Sequence, residues 1–272
     1  MEKRRVPLAS RFEEAVDGRF RDVAEEFGLH EPFYVRRGSQ ADHSALGQIF
    51  QGDCFAIERH HQGRVARAFY ADLLSKSCDP LILDLGANIG AASRYFRRHY
   101  PESRLIAVEP EGQNAQLCDL NLRQLAAASA SHSVVQAAVG SRPGSLFLAD
   151  PGVGEWGYQV GTSGEREVAV VDVPSLLADL PETVRPFLCK IDIEGGEKDL
   201  FSANYFWVYD FAVVILELHD WLHPFERCTH FLQRVFASSE YDMIFSGENL
   251  TLFSYKHLLA YHHPYKSPLF AD

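Results

Sequence analysis

Apolar and polar positions alternate along the chain between short continuous runs and longer stretches with helical spacing. Residues 81–85, 105–109, 134–139, 146–149, 168–173, 187–193 and 211–218 are strand-sized runs rich in Val, Ile, Leu and Phe. Helical stretches are predicted between the first runs, one reaching Tyr100 before Pro101 breaks it and one from Asn114 to about residue 128. Strands separated by helical spacers predict βαβ units and a mostly parallel sheet. The C-terminal part differs. Residues 241–245 and 250–255 flank Ser246-Gly247-Glu248-Asn249, the signature of an antiparallel hairpin. Upstream, Phe12, Val16, Phe20, Val23 and Phe27 fall near 3.6-residue spacing, which predicts an amphipathic helix over residues 10–27 stopped by Gly28. Residues 31–63 are mixed, and a second helix is predicted over 65–74. The reading is of a helix-rich accessory segment, 1–78, ahead of a main domain, 79–272.

The first strand runs into Asp84-Leu85-Gly86-Ala87-Asn88-Ile89-Gly90, which opens a helix. Glycines at this point let the backbone turn tightly and let a ligand approach, at the strand ends where open α/β sheets bind ligands. The loop is not G-x-G-x-x-G, because Asn88 replaces the middle glycine. That disfavours a nicotinamide dinucleotide, whose pyrophosphate needs close backbone approach. Glu109 ends the second strand, where a carboxylate can accept from the two hydroxyls of a ribose. Together they favour S-adenosylmethionine over NAD. Further on, Lys190-Ile191-Asp192-Ile193-Glu194-Gly195-Gly196-Glu197 places three carboxylates within six residues after an apolar strand. They repel one another unless a cation, a metal ion or a shared proton compensates, and Lys190 is one such partner.

Composition narrows the function classes. The 272 residues are 46% hydrophobic and 23% charged, an ordinary globular balance. Lys and Arg number 26 against 37 Asp and Glu, a formal charge of −11, which argues against nucleic acid and anionic membrane surfaces as partners. No run approaches the ~20 apolar residues of a membrane span, and no apolar signal core follows the opening Met-Glu-Lys-Arg-Arg. Cys54, Cys78, Cys118, Cys189 and Cys228 are scattered without C-x-x-C, which reads as reduced thiols in a cytoplasmic protein.

The segments 83–90, Val108-Glu109-Pro110, Ala137-Ala138-Val139-Gly140 and 190–197 resemble the FkbM family of S-adenosylmethionine-dependent methyltransferases, over roughly residues 80–255. The resemblance implies a Rossmann-like class I methyltransferase fold: a seven-stranded, mostly parallel sheet with an antiparallel C-terminal hairpin strand. It implies methyl transfer to hydroxyls of sugars, polyketides or other small natural products. Gly86, Asn88 and Gly90 would then line the methionine end of the cofactor. Glu109 would hold the ribose, and Ala138 would border the adenine. Asp192 and Glu194 would face the methyl or the acceptor. Asp84 and Asp192 complete the cofactor-binding set. Gly196 departs from the family, which usually has alanine there.

An aliphatic hydroxyl needs a proton acceptor or a metal to become a nucleophile. Glu217 and His219 follow the fifth main strand and project to one face of it. His219 is the expected base, oriented by Asp192, Glu194 or Asp220. The competing expectation is Mg²⁺ or another divalent ion on Asp192, His219 and Asp220, in places resembling the ligands of catechol-type O-methyltransferases; a histidine ligand would shift the metal away from magnesium. Residues 152–158, with Trp156 and Tyr158, read as a flap that stacks on a sugar. His223 and His230 read as surface or substrate wall, and the aromatic run 205–209 as helix packing. N- or S-methylation within the same fold and a non-catalytic cofactor-binding module are the alternatives. The Phe12–Phe27 stripe has two candidate partners: the main domain, or a second copy in a homodimer.

Overall fold

In a computed structural model of the protein, residues 18–125, 131–149, 159–161, 166–220, 224–225 and 230–262 are described. The chain enters as an antiparallel ribbon of β1 (Phe20–Asp22) and β2 (Tyr34–Arg36). Two helices follow, α1 (Gln40–Leu46) and α2 (His61–Ser75). Next come β3 (Asp79–Leu85), α3 (Ala91–His99), β4 (Arg104–Val108), α4 (Gly112–Arg123) and β5 (His132–Val135). The elements described next are β6 (Ala138–Val139), β7 (Gly144–Ala149), β8 (Gln159–Gly161) and β9 (Arg166–Val171). The chain then forms α5 (Val173–Ala178), β10 (Val184–Ile191), α6 (Glu197–Leu200), β11 (Val213–Glu217), α7 (His230–Ser238), β12 (Tyr241–Ser246), β13 (Asn249–Ser254) and α8 (Tyr255–Leu258).

The main sheet has the order β12-β13-β11-β10-β3-β4-β5. Only β13 runs against the others, pairing antiparallel with both β11 and β12. The expected seven-stranded Rossmann-like class I fold with its antiparallel hairpin strand is therefore present. The central strands are apolar on both faces because both faces are covered. Ile82, Leu105, Leu188, Val213 and Phe253 meet α2 and α3 on one side. Leu83, Ile106, Cys189, Val214 and Leu252 pack on the other with Phe201, Trp207 and Phe231. Local chemistry sets the helix ends. Glu111 Oε2 accepts from the N–H groups of Gln113 and Asn114 at 2.7 and 2.8 Å, which caps α4. Arg97, Arg98 and His99 crowd the last turn of α3, a favourable place for cations, before Pro101 ends it. No described helix is long and apolar enough to cross a membrane.

Three expectations are corrected. Residues 18–27 are not helical: Phe20 lies in β1, Val23 N–H pairs with Phe33 O at 2.9 Å, and residues 25–27 make one tight turn closed by Gly28 at φ 64°. The apolar spacing served a ribbon, whose Val23, Phe33 and Val35 bury against Ile89, Ala91 and Leu117. Residues 10–17 lie outside the described ones. The run 134–139 is broken into β5 and β6, which belong to different sheets. The described residues of 138–171 build a second sheet, β6-β9-β7-β8, with no helix among them. Its β7 pairs antiparallel with both β8 and β9, so the βαβ rhythm does not continue through these strands. The aromatic run 205–209 falls in a 3₁₀ turn, Tyr205–Asp210, that buries Trp207 and Val208.

The N-terminal segment is pinned to the main sheet's helices. Asn121 in α4 accepts from Tyr34 N–H at 2.7 Å and donates to Tyr34 O at 3.0 Å and Ile89 O at 2.9 Å. Arg94 donates to Pro32 O at 2.9 Å and Asn121 O at 2.6 Å.

Candidate active site

A cavity of about 950 Å³ opens at the carboxyl ends of β3, β4, β10 and β11. Strand–loop–helix connections splay apart there, which leaves a crevice that side chains from several loops can enter. Gly86, Asn88, Glu109, Ala138, Asp192, Glu194, Glu217 and His219 all line it. Eight of the residues singled out in the sequence thus meet in one place. Asp84, Gly90 and Asp220 are not among the lining residues. Residues 152–158 and His223 lie outside the described residues, as does the side chain of His230.

The glycine loop is held from both sides. Gly86 has φ 79°, and a Cβ there would lie 1.7 Å from Asp192 O. The ends of β3 and β10 touch backbone to backbone at this point, with Asp192 N–H donating to Leu85 O at 3.1 Å. Gly86→Ala should therefore push the two loops apart and lower Tm on the order of 10 °C, measured by calorimetry; an unchanged Tm would show that the loops give freely. Gly90 has φ 87°, and its missing Cβ faces Cys118 Sγ at 3.0 Å. It serves the packing of α3 on α4 rather than the cavity wall; Ala91 and Ala92 line the cavity instead.

Asn88 has φ 48°, and its side-chain Oδ1 is buried without a hydrogen-bond partner. Its N–H donates to Glu109 Oε2 at 2.8 Å. Glu109 Oε1 accepts from Glu111 N–H at 2.9 Å and Asn114 Nδ2 at 3.4 Å. A carboxylate offers about four acceptor positions, so Glu109 retains capacity for a ligand. Burial pushes its pKa up to about 7, opposed by the N–H groups of Glu111 and Asn88 and by Asn114.

Lys190 lies beneath the loop. In the sheet register it stands opposite Asp84, on the same face. Its Nζ donates to Gly86 O at 2.8 Å and sits 3.2 Å from Asp192 Oδ2 and 3.4 Å from Asp84 Oδ1. Asp84 is fully buried and also accepts from Ser93 Oγ at 2.6 Å. The structure thus uses Asp84 to hold Lys190 and α3 in place, not to line the cavity.

Beside Asp192, His219 is 1% exposed. Its Nδ1 lies 2.9 Å from Glu197 Oε1, the carboxylate accepting. Its Nε2 lies 3.6 Å from Glu194 Oε2, 3.6 Å from Glu217 Oε1 and 3.8 Å from Asp192 Oδ1. Burial opposes charge on the imidazole, but the Glu197 hydrogen bond and the charges of Glu197, Asp192 and Glu194 prevail and raise its pKa to about 9. Burial, then Asp192, pushes Glu194 and Glu217 up to about 7 despite His219. An imidazole held as its cation is a poor resting base, whereas carboxylates poised near neutrality suit proton acceptance. Among the described residues, ligand atoms of Asp192, Glu194 and His219 lie within 4.8 Å of one another, close enough to share a metal ion, and Asp220 is outside that group.

Sequence reasoning missed four contributors. Glu197 sits on α6, one turn past the strand end, and its approach to His219 depends on the fold of the Gly195-Gly196 loop. Asn114 reaches the cavity from α4. Residues between Ala45 and Phe55 close one side, and the hairpin turn 246–249 closes another. The hairpin itself was legible; that its turn overhangs the β11 end follows only from the insertion of β13.

Residues 84–259 match the family described as the Methyltransferase FkbM domain. The methyltransferase sdnD of Sordaria araneosa is 37% identical over 169 residues, which make up 48% of this chain and 63% of sdnD. The match thus spans less than two thirds of that relative's length. Two solved structures are similar at lower identity. The precorrin-6y C5,15-methyltransferase of Geobacter metallireducens shares 18% identity over 68% of this chain and 87% of its own, with a TM-score of 0.38. The O-methyltransferase TomG of Streptomyces achromogenes shares 15% over 70% of this chain and 79% of its own, with a TM-score of 0.37. With the match to the family covering most of the chain, from the glycine loop through the hairpin, the protein belongs to the FkbM methyltransferase domain family.

Proposed function

We propose that this protein is an S-adenosylmethionine-dependent O-methyltransferase that acts on a hydroxyl of a small natural product or sugar-containing acceptor. The observation that carries this reading is that a glycine loop, the buried Glu109 and a His219–carboxylate cluster all line one cavity. The residues present fit the cofactor. Asn88 Oδ1 is a buried acceptor without a protein donor, and Glu109 keeps acceptor capacity for a diol. The volume lies in the upper part of the usual ligand-site range of about 300–1,000 Å³. S-adenosylmethionine supplies an electrophilic methyl group when bound.

The chain's own residues supply position and a proton acceptor. Lys190 fixes the Gly86 carbonyl and Asp192 relative to each other. Glu197 holds the His219 ring so that Nε2 faces Glu194 and Glu217. A hydroxyl seated there loses its proton to Glu217 or Glu194, and the His219 cation steadies the resulting negative charge. An amine acceptor needs no strong base, so a cluster this rich in proton-accepting groups favours a hydroxyl over N-methylation.

The test is incubation with S-adenosylmethionine and a panel of hydroxylated acceptors, with mass analysis for one added methylene unit and calorimetry for S-adenosylhomocysteine binding. Binding without turnover on any acceptor would leave a cofactor-binding module instead. Methyl transfer should survive chelation; loss on chelation, restored by Mn²⁺, would assign Asp192, Glu194 and His219 to a metal ion. His219→Ala should reduce turnover by about 100-fold or more while the affinity for S-adenosylhomocysteine stays within twofold. Unchanged turnover would remove His219 from the reaction.

A further inference from the structure

One wall of the cavity is supplied by the N-terminal segment. Residues Gly47–Gln51 form one wide π-helical turn, closed by Gly52 N–H donating to Gly47 O at 2.9 Å. A Cβ on Gly52 would meet Gln48 O at 2.7 Å, so the turn depends on glycine there. Such turns recur at functional sites because they reposition side chains without ending the segment. Here Ile49, and beyond the turn Cys54 and Phe55, present an apolar surface to the cavity. Cys54 lines the same cavity as Lys190, Asp192 and Glu217, and burial raises its pKa to about 12.

Another part of the lining is acidic. Asp192, Glu194 and Glu217 line it, and the exposed Glu248 of the hairpin turn joins them, close enough to disfavour charge on Glu217. Among the described lining residues the cationic side chains are Lys190 and His219, and no arginine is present. Lys190 is already engaged by Asp84, Asp192 and the Gly86 carbonyl, and His219 is ringed by four carboxylates. Among the described lining residues an anion entering here meets a negative field and no uncommitted cation. In a walled cleft of low dielectric such a field is focused rather than screened.

We infer that the acceptor is an uncharged or cationic molecule with one apolar face, which lies against Ile49, Cys54 and Phe55, and that carboxylated and phosphorylated acceptors are rejected at the Glu217–Glu248 edge. The term acceptor rests on the methyltransferase reading; the selection by charge does not.

Cys54 is a built-in reporter. The full chain is treated with three methanethiosulfonates: a neutral methyl reagent, a cationic trimethylammonium-ethyl reagent and an anionic sulfonatoethyl reagent. In each case the Cys54 thiolate displaces methanesulfinate and forms a mixed disulfide, followed by peptide mass spectrometry. Rates are referred to those of 2-mercaptoethanol. The cation-to-anion rate ratio at Cys54 should exceed that of the free thiol at least about tenfold. Glu248→Lys, at an exposed turn position, should bring the ratio down severalfold. A ratio equal to or below that of the free thiol overturns the inference; because each rate is compared at the same thiol, the small thiolate fraction at Cys54 cancels in the ratio. The same preparation is titrated with S-adenosylhomocysteine. Absent binding with charge selection intact sinks the methyltransferase reading alone, and binding without charge selection sinks this inference alone.

Discussion

Lys190→Met is expected to lower stability by about 3–5 kcal/mol, the usual result of removing one partner from a buried ion pair. Methionine preserves the length and the apolar stem of the side chain. What it removes is the charge shared by Asp84 and Asp192 and the donor to Gly86 O. Asp84 is wholly buried and its Oδ1 has no hydrogen bond, so the lysine charge is its main compensation on that side. In a chain of this size roughly 2–4 °C of Tm accompanies each kcal/mol, so the variant should melt on the order of 10 °C lower. Burial opposes charge on Lys190, but Asp192 and Asp84 prevail and hold its pKa above the ordinary lysine value. Its contribution is therefore complete below that ordinary value and lost only as pH rises through the higher folded one, so the Lys190 term should be flat across the neutral range. Adding Asp84→Asn should restore part of the loss, because the buried charge then goes with its partner. A melting point within a degree or two of the parent would show that the pair contributes little.

Glu109→Ala is expected to weaken S-adenosylhomocysteine binding by about 10–100-fold, the range for hydrogen bonds to a charged group. The pH dependence carries the sharper test. Burial raises the Glu109 pKa from 4.5 to about 7. A diol donates best to the carboxylate form, so affinity should climb as pH rises through about 7, with a proton released on binding. Stability without ligand runs the other way. The folded chain keeps the proton over the window from 4.5 to about 7 while the unfolded chain has lost it, so this group's contribution falls as pH rises across that window and is constant above it. Glu109→Ala should flatten both trends, read by calorimetric titration and thermal melts. An affinity independent of pH in the parent would show that the ligand does not engage this carboxylate.

The main sheet was legible because parallel strands buried on both faces leave continuous apolar runs, and because Ser246-Gly247-Glu248-Asn249 marks a turn whatever lies around it. Gly86, Asn88 and Glu109 were legible because each position serves local backbone chemistry. Lys190 was visible as a charge, but its side was not: period-two alternation places it on the Asp84 face only once β10 and β3 are known to pair in that register. Phe20, Val23 and Phe27 satisfied a helical period over too few residues to exclude a ribbon, and burial against α3 and α4 decided between them. The wall from Ala45 to Phe55 had no motif at all. Its place at the cavity comes from long-range pinning by Asn121 and Arg94, which a local pattern does not encode.

The insertion of β13 between β11 and β12 also sets an order of events. During synthesis the glycine loop and Glu109 emerge long before the strand that brings the 246–249 turn over them. The cavity wall made by residues 246–249 is therefore the last described part of the lining to be synthesised, and a nascent chain arrested before β13 would expose the β11 edge to intermolecular pairing.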